Sequence, residues 1–150
     1  MLKQKLRDEL KQSMLARDVL KTSVLRMLLS SLNYYEIQKG GAGYEATDED
    51  VLQVIQKEAK QRRDSIEEYN KAARPELSEK ETRELEMLQA YLPTQMSEEQ
   101  VREAVKQAIA ETGATTAADM GKVMGALMPK VKGKSDGGLV SKIVRELLTP

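Results

Sequence analysis

An all-α protein built as two helical units is the fold class that this sequence predicts, and three observations carry the prediction. Leu, Ile, Val, Ala and Met supply the apolar content, because the aromatic residues amount to five Tyr with no Phe or Trp. That palette favours helices over sheets. Apolar residues recur every three or four positions along most of the 150 residues, the period of an amphipathic helix. Capping boxes and Gly or Pro breaks fall between those stripes, and the length suits one core or two small ones.

Taken in order, Leu2, Leu6, Leu10, Met14, Leu20, Val24, Leu28, Leu32 and Tyr35 form one stripe. They predict a single long helix, bent near Asp18. "KGGAGYEATD" ends it with three Gly, and Thr47 with Asp50 is a capping-box variant that opens the next helix. No strand precedes the GGxG, so it reads as a connector and not as a phosphate loop. The second helix carries Leu52, Ile55, Ala59, Ile66, Tyr69 and Ala73, a seam that also takes in Arg62. An inward Arg requires a carboxylate partner. Its neighbours in "KEAKQRRDSIEEY" read as a solvated face, with Lys60 and Asp64, and Arg63 and Glu67, spaced for ion pairs; an RNA-binding patch is the alternative. Pro75 ends this helix, and "SEKE" at Ser78 to Glu81 opens a third that runs to the "YLP" at Tyr91 to Pro93. A domain boundary is expected there, giving an N-terminal helical bundle over 1–93 and a small C-terminal helical domain over 94–150. In the latter, "SEEQ" at Ser97 to Gln100 caps a helix with Val101, Ala104, Val105, Ala108 and Ile109 inward, stopped by Gly113.

Composition removes several function classes. With no Cys or His, disulfides, thiolate metal sites, a cysteine nucleophile and the commonest general base are all excluded. No metal and no cofactor are therefore expected. No apolar run approaches a membrane span, and "MLKQKLRDELKQ" is too charged for a signal peptide, so the expected location is cytoplasmic, with no membrane partner. Formal charge is zero, with 16 basic and 17 acidic residues before Pro93 and 8 and 7 after it. Bulk charge alone names no partner.

The densest signal is "DMGKVMGALMPKVKGKSDGG" at 119–138. Met120, Val123, Met124 and Leu127 share a helical face flanked by Gly121 and Gly125. Two helical glycines cost about 1 kcal/mol each against Ala, so a closely packed backbone or a ligand is expected to offset them. Pro129 disfavours helical geometry at Met128, Gly133 supplies a turn, and Ser135 or Asp136 caps a last helix. That helix buries Leu139, Val140, Ile143, Val144, Leu147 and Leu148 and wets Lys142, Arg145 and Glu146. Lys130, Lys132 and Lys134 crowd the connector that feeds its N-terminus, where amides and helix dipole favour anions. Both a phosphate cradle and ordinary solvated lysines fit. "GKS" at 133–135 is no P-loop, since Met128 stands where the motif needs its first Gly. From Thr115 onward six basic residues face three acidic ones, and with no aromatic side chain there any RNA contact is to backbone and shape.

"YLP" at 91–93, "SEE" at 97–99, "ADMGKVMGALMPKVKGKSDG" at 118–137 and the closing "VSKIVRELL" closely resemble the YqeY proteins of the GatB/YqeY family. "RMLLSSL" at 26–32 and "KQRRDSIEEY" at 60–69 extend the resemblance to nearly the whole chain. It implies a helical bundle followed by a unit similar to the tail of the B subunit of glutamine-dependent tRNA amidotransferases, which helps hold tRNA while catalysis happens elsewhere. The positions that match are Gly125, Lys132, Gly133, Lys134 and the final helix, and the implied role for the lysines is tRNA contact. The expectation is an accessory tRNA-binding module that uses Lys130, Lys132, Lys134, Lys142 and Arg145, with Gly121, Gly125 and Gly133 allowing close approach. DNA is not an expected partner. The alternative is a helical adaptor that docks on an amidotransferase or an aminoacyl-tRNA synthetase. The family label, carbon-nitrogen ligase with glutamine as amido-N-donor, suggests an enzyme. Against it stand the missing Cys and His and the absence of a Gly/Ser-rich amidase segment, so no catalytic residue is assigned.

Overall fold

Seven α-helices and one short 3₁₀ turn make up the regular structure of the described residues, 1–93 and 95–149, in the computed structural model. No strand occurs among them. The chain forms two compact units, Met1–Leu92 and a second that begins at Pro93.

In the first unit, α1 (Leu2–Leu15) and α2 (Val19–Gly40) are separate helices, which corrects the single bent helix expected from the stripe. Arg17 adopts a left-handed φ of 57°, and Asp18 caps α2 by accepting from the Lys21 amide at 3.0 Å. The pair is antiparallel: Thr22 Oγ1 lies 2.9 Å from Ser13 Oγ, while Lys3 Nζ donates to Glu36 at 2.5 Å. Burial pushes the Glu36 carboxyl up, but the Lys3 ammonium and the Ala46 amide outweigh it and hold the group below its ordinary value. Leu6, Val24, Leu25, Leu28 and Leu32 are buried between these helices and the next two.

The Gly-rich connector behaves as the sequence suggests. Gly41 has φ 76°, and a Cβ on Gly40 would stand 2.7 Å from the Cβ of Tyr44, so only Gly lets Tyr44 fold back there. Tyr44 returns because Asp50 draws it in. The capping box of α3 (Asp48–Lys71) forms in both directions between Thr47 and Asp50. The buried Asp50 carboxylate also accepts from Lys39 Nζ at 2.5 Å, Tyr44 Oη at 2.6 Å and Tyr35 Oη at 2.9 Å. Lys39 lies 5.5 and 5.2 Å from the Tyr35 and Tyr44 ring centroids.

The Lys39 ammonium foremost, with the Tyr44 hydroxyl, holds the Asp50 carboxyl well below the carboxylate range. A depressed carboxyl pKa stabilises the fold above the unfolded value of about 4, and that contribution is lost as pH falls further. Thermal melts between pH 6 and pH 2 should therefore show wild-type stability falling below about pH 4. An Asp50→Asn variant, weaker at neutral pH, should converge on the wild type in acid; a constant gap across the range would contradict this.

α4 (Pro75–Gln89) begins earlier than the sequence suggests. Pro75 starts the helix instead of only ending the previous one, and Ser78 is an interior residue whose carbonyl accepts from Thr82 Oγ1 at 2.8 Å. The reason is that Pro suits the first helical position, where its missing N–H is not needed. Arg62 of α3 is buried, 5% exposed, and meets carboxylates on both helices. Its Nη1 donates to Glu58 at 3.1 Å. Its Nε stands 3.3 Å from Glu84 Oε2, an ion pair without hydrogen-bond alignment. The expected partner thus exists twice over. By contrast, among the described residues neither Lys60 with Asp64 nor Arg63 with Glu67 closes an ion pair; Glu67 takes Lys71 instead, at 3.0 Å. After α4, the Tyr91 hydroxyl donates to Glu9 of α1, and burial with the Glu9 charge pushes its pKa up.

The second unit holds α5 (Glu98–Thr112), the 3₁₀ turn Ala117–Asp119, α6 (Met120–Val131) and α7 (Gly137–Leu148). Ser97 and Gln100 form the expected capping box, and Gly113 ends α5 at φ 66°. Val101, Val105, Val123, Leu127, Val140 and Ile143 form its core. Leu147, expected inside, remains 37% exposed. No described helix is long and apolar enough to cross a membrane.

Candidate nucleic-acid interface

α6 continues through Pro129 to Val131, where the sequence suggests a break before the proline. Proline removes the N–H that would bond to the carbonyl four residues back and crowds it. That residue is Gly125, whose backbone is the most adaptable available. Lys130 therefore lies on the helix itself and not in the connector. It faces α5, with Nζ 3.3 Å from Glu111 Oε1.

Gly121 and Gly125 do not pack against another backbone. Both are exposed, and nothing lies within 4 Å of where a Cβ would stand at either, which corrects the close-packing reading. Successive turns of α6 place Gly121, Gly125 and Pro129 on one open strip, with Met128, 37% exposed, and Lys122 along its edges. An open helical glycine carries its full propensity cost. Gly121→Ala, clear of the proline, should accordingly stabilise the second unit by about 0.5–1 kcal/mol, raising its melting temperature; a lower value would mean that the glycine answers a constraint of the fold.

The connector is rigidly defined. Gly133 has φ 78°, the Lys134 and Ser135 amides both donate to the Val131 carbonyl at 2.9 and 3.2 Å, and the chain before α5 is tied to it. Met96 N donates to the Lys134 carbonyl at 2.8 Å, and Gln95 Nε2 donates to the Gly133 carbonyl at 3.1 Å. These bonds fix the backbone and leave the Lys132 and Lys134 side chains exposed on either side of Gly133. At the start of α7 the Asp136 carboxylate accepts from the Gly138 amide at 3.2 Å. The helix terminus thus carries the Asp136 cap that the sequence offered, an anion already beside the first-turn amides.

Lys142 and Arg145 lie one turn apart on the exposed face of α7. The described residues offer no carboxylate within ion-pair distance of Lys132, Lys134, Lys142 or Arg145. The neighbouring acids are committed. Glu146 is held by Arg102 at 2.9 Å, Asp136 caps α7, and Asp119 accepts from the Thr115 and Thr116 amides at 3.0 and 3.3 Å. Those amides, Thr115 first, lower the Asp119 pKa. The structure thus places two cations in the connector and two on α7, and turns Lys130 aside toward Glu111. Exposed Lys122 beside the glycine strip belongs with them, and sequence reasoning counted it without assigning it a role. Among the described residues no group of acidic side chains is placed to hold a metal ion.

Comparison with known proteins gives a family model described as "Yqey-like protein" that matches residues 3–148. The chain is similar to "Altered inheritance of mitochondria protein 41, mitochondrial" of Vanderwaltozyma polyspora, 37% identical over 87 residues, 58% of this chain and 46% of that protein. The protein of the same description in Kluyveromyces lactis is 39% identical over 98 residues, 63% of this chain and 51% of the relative. An uncharacterized protein of Schizosaccharomyces pombe is 35% identical over 92 residues, 61% of this chain and 72% of its own length. The chain spans about half the length of the two mitochondrial relatives.

Proposed function

Because the chain belongs to the YqeY-like family, we propose that it is an accessory tRNA-binding protein related to the glutamine-dependent tRNA amidotransferases and serves binding, not catalysis. One observation carries the reading: Lys132, Lys134, Lys142 and Arg145 are exposed with no carboxylate partner among the described residues, while the acids around them are tied to amides or to Arg102. Unpaired cations on an ordered backbone suit the phosphates of a folded RNA, which position the molecule without reading its bases. The open strip of Gly121 and Gly125 lets a sugar-phosphate backbone approach α6 closely. With zero formal charge, the chain as a whole does not attract nucleic acid indiscriminately, so the contact is local.

Titrating isotope-labelled protein with unfractionated tRNA and following amide resonances tests where binding occurs. Shifts concentrated between residues 121 and 145 support the proposal. Shifts centred on Lys60 and Arg63 of α3 would move the site to the other basic segment and sink it.

The adaptor reading has its own support in the same strip, since Met128 stands exposed beside the two glycines. A protein partner such as an amidotransferase or a synthetase would bind it in a salt-insensitive way, whereas tRNA would not.

A further inference from the structure

Helix α2 carries large apolar side chains on two sides, and among the described residues only one of those sides has a partner. Val24, Leu25, Leu28 and Leu32 are buried, while Val19, Met27, Tyr34 and Ile37 on the outer side are 82, 51, 65 and 65% exposed. Ser23, Arg26, Ser30 and Asn33 complete that outer stripe and are exposed too. Positions 23, 26 and 27, 30, 33 and 34, and 37 follow the three-and-four spacing of a helix–helix seam. In a chain with 32% charged residues, Arg26 is the single charge on it. Large apolar side chains clustered on one exposed helix face ordinarily mark an interaction surface.

We infer that this stripe pairs with the same stripe of a second copy, the two α2 helices running antiparallel about a twofold axis at Ser30. The sequence of the stripe is self-complementary in that register. Ser30 meets itself, the smallest side chain of the stripe where the axes come closest. Ser23 faces Ile37, small against large; Met27 faces Asn33; Arg26 faces the Tyr34 ring, a cation–π pair repeated by symmetry. A parallel arrangement in register would instead set Arg26 against Arg26. The surface relief agrees: a hollow of about 480 Å³ lies along the first half of α2, lined by Met14, Val19, Thr22, Ser23, Arg26 and Met27, with the charged Arg17 and Asp18 at the turn before the helix. In this register it lies opposite Tyr34 and Ile37 of the other copy, whose side chains otherwise stand in water. One helix pair covers less than the roughly 800 Å² per partner of a standard interface, so the dimer is concentration dependent.

The test uses the full chain. Light scattering after gel filtration, from micromolar to near-millimolar protein, should show the mass rising from 16.8 kDa toward twice that value. Ile37→Glu and Arg26→Glu, at exposed positions that leave the circular dichroism unchanged, should hold it at the monomer. Because the chain has no Cys, single cysteines report the register. Ser30→Cys should form a disulfide-linked dimer under mild oxidation at least tenfold faster than Ser23→Cys, which lies about 20 Å from its symmetry mate along the axis. A monomer at every concentration, an Ile37→Glu variant that still dimerises, or equal cross-linking at both positions would each overturn the inference.

Discussion

Replacing Arg62 with Ala should destabilise the N-terminal unit by about 3–5 kcal/mol, the range seen when one member of a buried ion pair is removed. Arg62 is 5% exposed and Glu84 also 5%, and the half-buried Glu58 faces the same guanidinium. Ala at position 62 would leave two carboxylates without their counter-charge, with Glu81, whose pKa burial and Glu84 already raise, nearby. A small domain is held by about 5–15 kcal/mol in total, so the loss is a large fraction of the whole. At about 4–8 °C per kcal/mol for a unit of this size, the melting temperature should drop by more than about 12 °C. Arg62→Met with Glu84→Leu should recover much of the loss, since replacing both members of a buried pair by apolar groups is often neutral. Below the melting transition, tRNA affinity should be unchanged, because the residue belongs to the first unit and the proposed surface to the second. A melting temperature within a few degrees of wild type would show that the cluster contributes little.

Reversing Lys132, Lys134 and Lys142 together to Glu should have the largest effect on function. Each phosphate contact contributes about 0.7–0.9 to the slope of log affinity against log salt. Three lost contacts flatten the slope by about 2–3 and, at about 0.1 M salt, weaken binding by 10²- to 10³-fold. Stability should hardly change, because all three side chains are exposed and form no ion pair among the described residues. Lys130→Gln is the internal contrast. With Glu111 already at 3.3 Å, Lys130 has less charge to offer a phosphate, so its loss should cost less than that of Lys132 or Lys134.

Much of this architecture is written in local sequence. The α5 stripe, the α7 stripe apart from Leu147, the Thr47 and Ser97 capping boxes and the Gly113 stop rest on spacings of a few residues, and these appear in the structure. The inward Arg62 was legible too, because charge on a buried seam demands a partner. The turn at Arg17 was not. The skip in the stripe from Met14 to Leu20 pointed only to a bend near Asp18; without a Gly or Pro between Leu2 and Tyr35, nothing local announced that a non-glycine residue would enter the left-handed region and end the helix. Pro129 misled for the opposite reason: a general breaker is tolerated where Gly125 sits one turn earlier. Asp50 was read only as a cap, since nothing local announces that Lys39, Tyr35 and Tyr44 converge on it. At the candidate interface the exposure of Lys142 and Arg145 followed from helix phase, and that of Lys132 and Lys134 from their place in a Gly-containing connector. The diversion of Lys130 to Glu111 depends on a contact between residues 19 apart in sequence, beyond the reach of a helical wheel.

Fluorescence anisotropy of labelled tRNA against the intact protein across a salt series, with duplex DNA of similar length as control, tests the central claim most directly. The account predicts saturable binding that prefers tRNA, weakens linearly in log–log form with salt, and disappears when Lys132, Lys134 and Lys142 are reversed. Equal, feeble binding by the wild type and the reversed variant would contradict it. The open glycines of α6 would then belong to a surface that meets protein instead of RNA.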